Sequence, residues 1–331
     1  MIRISAGTAA CMKLKKIKTD VHPTTAYLLL GEGCVMNCSF CPQSRTSSGG
    51  ASRLGRVTWP SFTREDLKEG LKEAEGNNIK RVCLQGVRQG DKQESLLRTI
   101  KEIKNNSSLP LCISAWIKKP QEAEELFAAG ADRLSIALDV VNPDAYKDIK
   151  GGSYKERLQL LLNCARRWPG KISTHIIIGV GETEEETVAI FDKLIKENVT
   201  IALFAFTPIK GTPLGSSAPP KIERYRRMQA ALYLLKNKVI DYAAMNFKKG
   251  VLTGYGVPIS DLREYLKGGS AFLTSGCPDC NRPFYNESPG SVLYNYPRPL
   301  TLEEEEAAVD CVLAGLEEGG NEVAGNLAFN S

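Results

Sequence analysis

An α/β fold of successive β–α units, from a partial (βα)6 arrangement to a complete TIM-type barrel, is what this chain predicts, with a cysteine-containing C-terminal extension. Three observations carry the prediction. From residue 25 onward, short apolar runs alternate with longer helical patterns. The runs are near-continuous, as parallel strands covered on both faces require. The 331 residues, 42% hydrophobic and 24% charged, suffice for one large core of this kind.

The strand candidates are 25–31, 81–87, 110–116, 132–138, 171–179 and 200–206. Helix patterns fall at about 64–76, 92–105, 119–129, 154–167, 184–197 and 221–239, the first opened by a capping sequence at 61–66. Six such units favour right-handed crossovers and a parallel sheet, whose chemistry gathers at the carboxyl ends of the strands. The residues of chemical interest fall there. Cys34, Cys38 and Cys41 follow the first strand, and Gln85 and Gly86 end the second. Asp139 ends the fourth, Gly179 and Glu182 the fifth, and Lys210 follows the sixth.

Residues 25–268 are therefore read as the barrel domain, preceded by an N-terminal segment, 1–24. After residue 268 the composition shifts to turn formers and aromatics, with Cys277 and Cys280 two residues apart. A last helix at about 301–317 precedes a Gly/Asn-rich tail expected to be disordered.

The formal charge of +5 carries no clustered basic face, so nucleic-acid binding is not expected. The basic stretch 13–18 reads as solvated in preference to a partner contact. No apolar run reaches the ~18 residues of a membrane span, and the start lacks the apolar core of a secretory signal. A cytoplasmic protein is expected, its ten cysteines held as reduced thiols or metal ligands. His22 and His175 are the only histidines, which excludes a histidine-rich metal site.

The stretch GEGCVMNCSFCPQS, residues 31–44, sets Cys34, Cys38 and Cys41 at spacings of four and three. Three thiolates can hold three irons of a [4Fe–4S] cubane and leave the fourth iron open for a small molecule. The alternative is a zinc site completed by a distant cysteine.

With Phe40 before its last cysteine, this motif resembles that of the radical S-adenosylmethionine enzymes. That resemblance implies a [4Fe–4S] cluster whose open iron chelates S-adenosylmethionine. It also implies reductive cleavage to a 5′-deoxyadenosyl radical that abstracts hydrogen from an unactivated C–H bond. CPQSR (41–45), GSYKERLQLL (152–161), IIGVGETEEE (177–186) and IKGTPL (209–214) together resemble the biotin synthase branch, over about residues 25–215. TAYLLLGEGC (25–34) is similar to the lipoyl synthases.

The resemblance implies that Arg157 pairs with the cofactor's carboxylate and Asp139 lies near its ribose hydroxyls. Read from the residues alone, Arg157 is a helix-surface arginine, and Asp139 is either a strand-end carboxylate able to accept two hydroxyl hydrogen bonds or the cap of a following turn. Ile177, Gly179 and Glu182 fit a G-x-I-x-G-x-x-E pattern implying backbone packing around adenine, with His175 where its first glycine would stand. Gln85 and Gly86 stand where the family often has GGE, near the methionine amino group. Ala137 replaces the asparagine that biotin synthases carry two residues before the acid, which argues against a pocket built for dethiobiotin.

Sulfur-inserting members carry a second cluster, consumed as the sulfur source. In biotin synthases three strand cysteines and an arginine hold it. Cys83 and Cys112 match two of those cysteines, Ser173 stands at the third, and no counterpart of the arginine is evident. That cluster, as usually built, is not expected here. An auxiliary cluster on Cys83, Cys112, Cys277 and Cys280 is expected instead, with Cys11 as a substitute ligand. The alternatives are buried thiols that merely fill strand positions and a zinc clip at Cys277 and Cys280. Cys164 and Cys311, on helix patterns, read as core.

The leading expectation is a radical sulfurtransferase most like the two-component archaeal-type lipoyl synthases. Such an enzyme acts on an octanoyl chain borne by a lipoyl-carrier protein or domain. Its implied partners are a second radical subunit and an electron donor such as ferredoxin or flavodoxin. Biotin-synthase-like insertion into a small molecule, or a radical rearrangement or cofactor maturation without sulfur, are the alternatives.

Overall fold

The computed structural model describes residues 1–50, 52–88, 93–287 and 290–316; the tail expected to be disordered lies outside the described residues. The elements run β1 (Ile2–Ile4), α1 (Ala6–Cys11), β2 (Thr25–Leu30), β3 (Arg53–Leu54), β4 (Val57–Thr58), β5 (Ser61–Phe62) and α2 (Arg64–Gly76). There follow β6 (Arg81–Gly86), α3 (Glu94–Asn106), β7 (Leu111–Ser114), α4 (Pro120–Ala128), β8 (Arg133–Ser135), α5 (Pro143–Ile149) and α6 (Tyr154–Arg167). The rest is β9 (Ile172–Ile178), α7 (Glu184–Lys196), β10 (Thr200–Ala205), α8 (Ile222–Lys236), β11 (Asn246–Lys248), β12 (Val251–Gly254), α9 (Ile259–Leu266) and α10 (Leu302–Leu313).

One sheet organises the molecule, in the order β10-β9-β8-β7-β6-β2-β1-β5. β2, β6, β7, β8, β9 and β10 pair in parallel through the registers Tyr27↔Cys83↔Cys112↔Arg133, Ser135↔Ser173 and His175↔Ala202. This is the six-unit parallel sheet the sequence predicts, and it forms the partial barrel of that range because, among the described residues, β10 pairs only with β9.

The N-terminal segment does not simply precede the barrel. Ile2–Ile4 pairs antiparallel with both β2 and β5, and Ile2, Ile4, Ala9 and Met12 are buried. A three-residue strand is too short for its apolar period to stand out from the sequence. The basic stretch after it is mostly exposed, its four lysines all turned to solvent or nearly so.

The crossover helices begin where the sequence supplies caps. Thr63 and Thr183 each form reciprocal boxes, with Asp66 and Glu186, and Asn142 caps α5 ahead of Pro143. Asn142, and not Asp139, is thus the cap. Asp139 instead bends the chain after β8, in the left-handed region at φ 64°, and bridges to Ile176 of β9.

The open flank of the barrel is closed by the C-terminal extension. On the β10 side Ser275 Oγ accepts from Leu203 N (2.9 Å) and Asn286 Nδ2 donates to Ala205 O (2.8 Å). On the β2 side Asn281 Oδ1 accepts from Thr24 N (3.0 Å), and Arg282 N donates to the Tyr27 hydroxyl (2.9 Å). Residues 275–286 therefore serve as the missing wall. Among the described residues no helix is long and apolar enough to cross a membrane.

Candidate active site

Inside the partial barrel lies a cavity of about 310 Å3, lined by inward residues of all six parallel strands, the loops after them, and the extension. Cys34, Cys38 and Cys41 reach it from the loop after β2, together with Phe40. That loop is tied down on three sides. Val35 N donates to Arg88 O (2.9 Å), Ser39 N to Ile149 O (2.7 Å), and Leu214 N to Ser39 O (3.0 Å). Gly211 makes this packing possible: at φ +90°, a Cβ there would sit 2.6 Å from Gly49 N.

Burial pushes the Cys38 thiol up to about 11 and Cys41 to about 12, with Asp139 and Cys34 adding to each rise. Only a cation held among them would keep such thiols ionised at neutral pH. Three half-buried sulfurs on one short loop are a donor set that fits an iron–sulfur cluster.

Beside the triad, Asp139 and Arg157 line the same cavity, and Arg157 is no surface residue: it is 5% exposed. Its Nε donates to Ala137 O (3.2 Å), its guanidinium to Ile117 O (3.0 Å), and the Trp116 ring centroid lies 4.1 Å away. Lys150, which the sequence did not single out, donates to Asp139 (2.7 Å) and to the carbonyls of Ala137 (2.6 Å) and Leu138 (3.1 Å). With all three ammonium hydrogens placed, it pins the left-handed bend that turns Asp139 inward. A lysine after a short helix gives no sequence signal for that task.

Gln85, Gly86 and Ile177 also line the cavity, but Gly179 and Glu182 do not. Glu182 instead folds the turn after β9, accepting from Gly179 N (2.7 Å) and Val180 N (2.8 Å) and pairing with Arg224 (2.7 Å). Gly179 is required there by φ +100° and by the Pro220 ring, 3.0 Å from where a Cβ would lie. Glu182→Ala removes a fully buried carboxylate holding two backbone amides. We expect it to cost about 2–3 kcal/mol, read as a lowered urea midpoint at unchanged slope.

Deeper in the barrel the four other cysteines meet. Cys83 and Cys112 are register partners on β6 and β7, and the Cys112 thiol donates to Cys277 Sγ at 3.7 Å. This hydrogen bond holds Cys277 well below the usual thiol range and Cys112 far above it; burial raises Cys83. Cys280 lies 3.4 Å from the Tyr27 hydroxyl. Ser173, at the place of a third strand cysteine, hydrogen-bonds Cys277, so the extension's thiol fills the gap that serine leaves. Cys11 is not among them: it is buried on α1, 3.8 Å from His22 Nδ1. Cys164 is fully buried and Cys311 half-buried, each on its helix.

Guanidinium groups surround this cysteine set. Arg81 donates to Cys112 Sγ (2.8 Å) and Arg282 to Cys280 Sγ (3.6 Å), while Arg133 lies within electrostatic reach of Cys277. None of the three forms a carboxylate ion pair among the described residues, and Arg81 Nε and Arg133 Nε are buried without a hydrogen-bond partner. Buried cations call for compensating charge, and thiolates committed to a cluster would supply it. Among the described residues no three His, Cys, Asp or Glu side chains close on a single metal ion. A cluster spreads its thiolates over several irons. Arg282 could have been noticed in the sequence, two residues past the Cys277–Cys280 pair; Tyr285, in the same stretch, carries no such mark.

Comparison with known proteins agrees with this geometry. A family model described as the Radical SAM superfamily matches residues 28–194. The biotin synthase of Acaryochloris marina is 26% identical over 185 residues, 55% of this chain and 52% of that protein. That of Picosynechococcus is 28% identical over 221 residues, 63% of this chain and 59% of that protein. The chain thus spans between half and three fifths of the length of these curated relatives. Among solved structures, methylornithine synthase aligns with a TM-score of 0.52 at 19% identity, over 64% of this chain and 62% of that one. That is a likeness of fold, a mostly parallel α/β sheet in a partial barrel.

Proposed function

Because the chain belongs to the radical SAM superfamily and is related to its biotin synthase branch, we propose that it inserts sulfur into an unactivated C–H bond, using two iron–sulfur clusters. Cys34, Cys38 and Cys41 hold the first, and Cys83, Cys112, Cys277 and Cys280 hold the second. The observation supporting this reading is that both cysteine sets face one cavity, the triad beyond the strand ends and the other four at mid-strand depth. When bound, the first cluster and S-adenosylmethionine would supply a radical that takes hydrogen from carbon, and the second cluster the sulfur.

The chain's own residues bind and orient. Arg157, braced by two carbonyls and Trp116, offers its remaining donors to the cofactor's carboxylate. Asp139, held by Lys150, accepts from the ribose hydroxyls. Phe40, Ile177 and the strand ending Gln85-Gly86 shape the cofactor's bed, and Phe204, Phe206 and Trp116 keep water from the reacting carbon. The substrate in this reading is an octanoyl chain on a lipoyl-carrier protein, as in lipoyl synthases. A ferredoxin- or flavodoxin-type donor supplies electrons, and a second radical subunit completes the two insertions.

The test is iron and sulfide content with Mössbauer spectra after anaerobic reconstitution, for wild type against a Cys34/Cys38/Cys41 triple-alanine variant. About eight irons against about four is the expected result. About four against almost none would leave no sulfur donor and overturn the reading.

A further inference from the structure

The first strand reads Ile-Arg-Ile, a charged residue between two isoleucines. Strand side chains alternate, so Ile2 and Ile4 enter the core while Arg3 shares the other face with its register partner Leu29. Arg3 is nevertheless 4% exposed, enclosed between β2 and β5. A buried guanidinium is costlier than the apolar side chain the same position would accept, unless its donors are used.

Its donors go to the two ends of the cysteine loop. Arg3 Nη2 donates to the Gly31 carbonyl, three residues before Cys34, and to Gln43 Oε1 (3.1 Å), two residues after Cys41. Gln43, also 4% exposed, carries the contact further: its Nε2 donates to Arg53 O (2.6 Å), and its carbonyl accepts from Cys34 N (2.9 Å). The backbone contacts at Val35 and Ser39 meet the loop between its cysteines, whereas Arg3 meets its neck. Arg3 also lies outside residues 28–194, the span that matches the superfamily model.

We propose that Arg3 is the positioning residue of the cysteine triad: it clasps both ends of the loop through one nitrogen and so presets the spacing of the three sulfurs. The inference rests on the reading that Cys34, Cys38 and Cys41 hold a cluster, and it assigns the N-terminal strand a task there. A loop of this length with free ends would have to be ordered by the metal itself, at the expense of affinity. Closing the neck removes that cost in advance, as groups behind metal ligands generally do. The strand itself needs no cation at that place, because β1 is held by its ladders to β2 and β5 and by buried Ile2 and Ile4. Arg3 can therefore be removed with less harm to the barrel than to the loop.

The experiment follows iron release to a chelator from the anaerobically reconstituted full chain, for wild type, Arg3→Met, Gln43→Leu and the double variant. The Cys34/Cys38/Cys41 triple-alanine variant identifies which phase of release belongs to the triad. Each single substitution should speed that phase about tenfold or more and leave any remaining phase unchanged. The double variant should fall short of the product of the two, because both act through one contact. Amide hydrogen exchange should show β1, β2 and β6 protected as in wild type. The clasp is refuted if the triad phase is unchanged or if the two effects simply multiply. It is refuted too if every phase speeds together and β1 and β2 lose protection, which would make Arg3 a residue of the fold only. A wild type without any triad-dependent phase would instead sink the proposed function, and the clasp with it.

Discussion

Replacing Cys277 and Cys280 together by serine should remove about half of the iron from the reconstituted protein while sparing reductive cleavage of S-adenosylmethionine. The asymmetry follows from position. Neither residue touches the triad loop, which is held by Arg88, Ile149 and Leu214 through backbone hydrogen bonds that the extension does not share. Both lie instead against β6 and β7, where Cys112 is 3.7 Å from Cys277. Serine keeps the shape and the hydrogen-bonding capacity but is a poor ligand for iron, so the fold should survive. If the extension's sulfurs supply half of the second site's ligands, turnover to a sulfur-containing product should fall below detection, while 5′-deoxyadenosine still accumulates. Unchanged iron content would mean that the pair serves the fold only.

The barrel was legible from sequence because its signals are local and repeated. Each strand is a continuous apolar run bounded by turns, and most helices open on a cap, so six units emerged with boundaries close to the observed ones. The triad was legible for the same reason, being complete within eight residues. What could not be read was whatever depends on distant segments meeting. Lys150 acquires its role only because α5 delivers it under the bend at Asp139. Glu182 fits a pattern associated with the cofactor, yet its side chain turns back onto its own loop. Arg282 becomes part of the cysteine site by meeting Cys83 and Cys112 from 199 and 170 positions further along the chain, a connection that periodicity does not carry. Cys11 failed as a ligand for the converse reason, since the short helix bearing it packs into the core.

Among its described residues the extension has no strand ladder of its own to hold it, so its placement depends on a few buried polar anchors, and Arg226 is the foremost. It is 1% exposed on α8, where it donates to Gln229 Oε1 (2.6 Å), to Tyr294 O (2.6 Å) and to the carbonyl of Leu293. Its guanidinium also lies beside the rings of Phe272 (5.4 Å) and Tyr296 (5.0 Å). Tyr296 N in turn donates to Phe272 O (3.0 Å) and Thr274 N to Tyr296 O (3.0 Å), just ahead of Cys277. One side chain on the barrel thus fixes the strand-like contact from which the cysteine pair is hung. Arg226→Ala would leave two half-buried carbonyls and a buried amide oxygen without their donor, and a cavity beside two aromatic rings. A loss of about 3–5 kcal/mol is expected, concentrated in the extension and not spread over the barrel. Hydrogen exchange should show protection lost at 270–296 and kept in β6 to β10, and the second half of the iron should go with it. Uniform loss of protection would mean that the extension and barrel unfold as one unit, in which case closing the open flank, and not carrying the cysteine pair, is what the extension chiefly does.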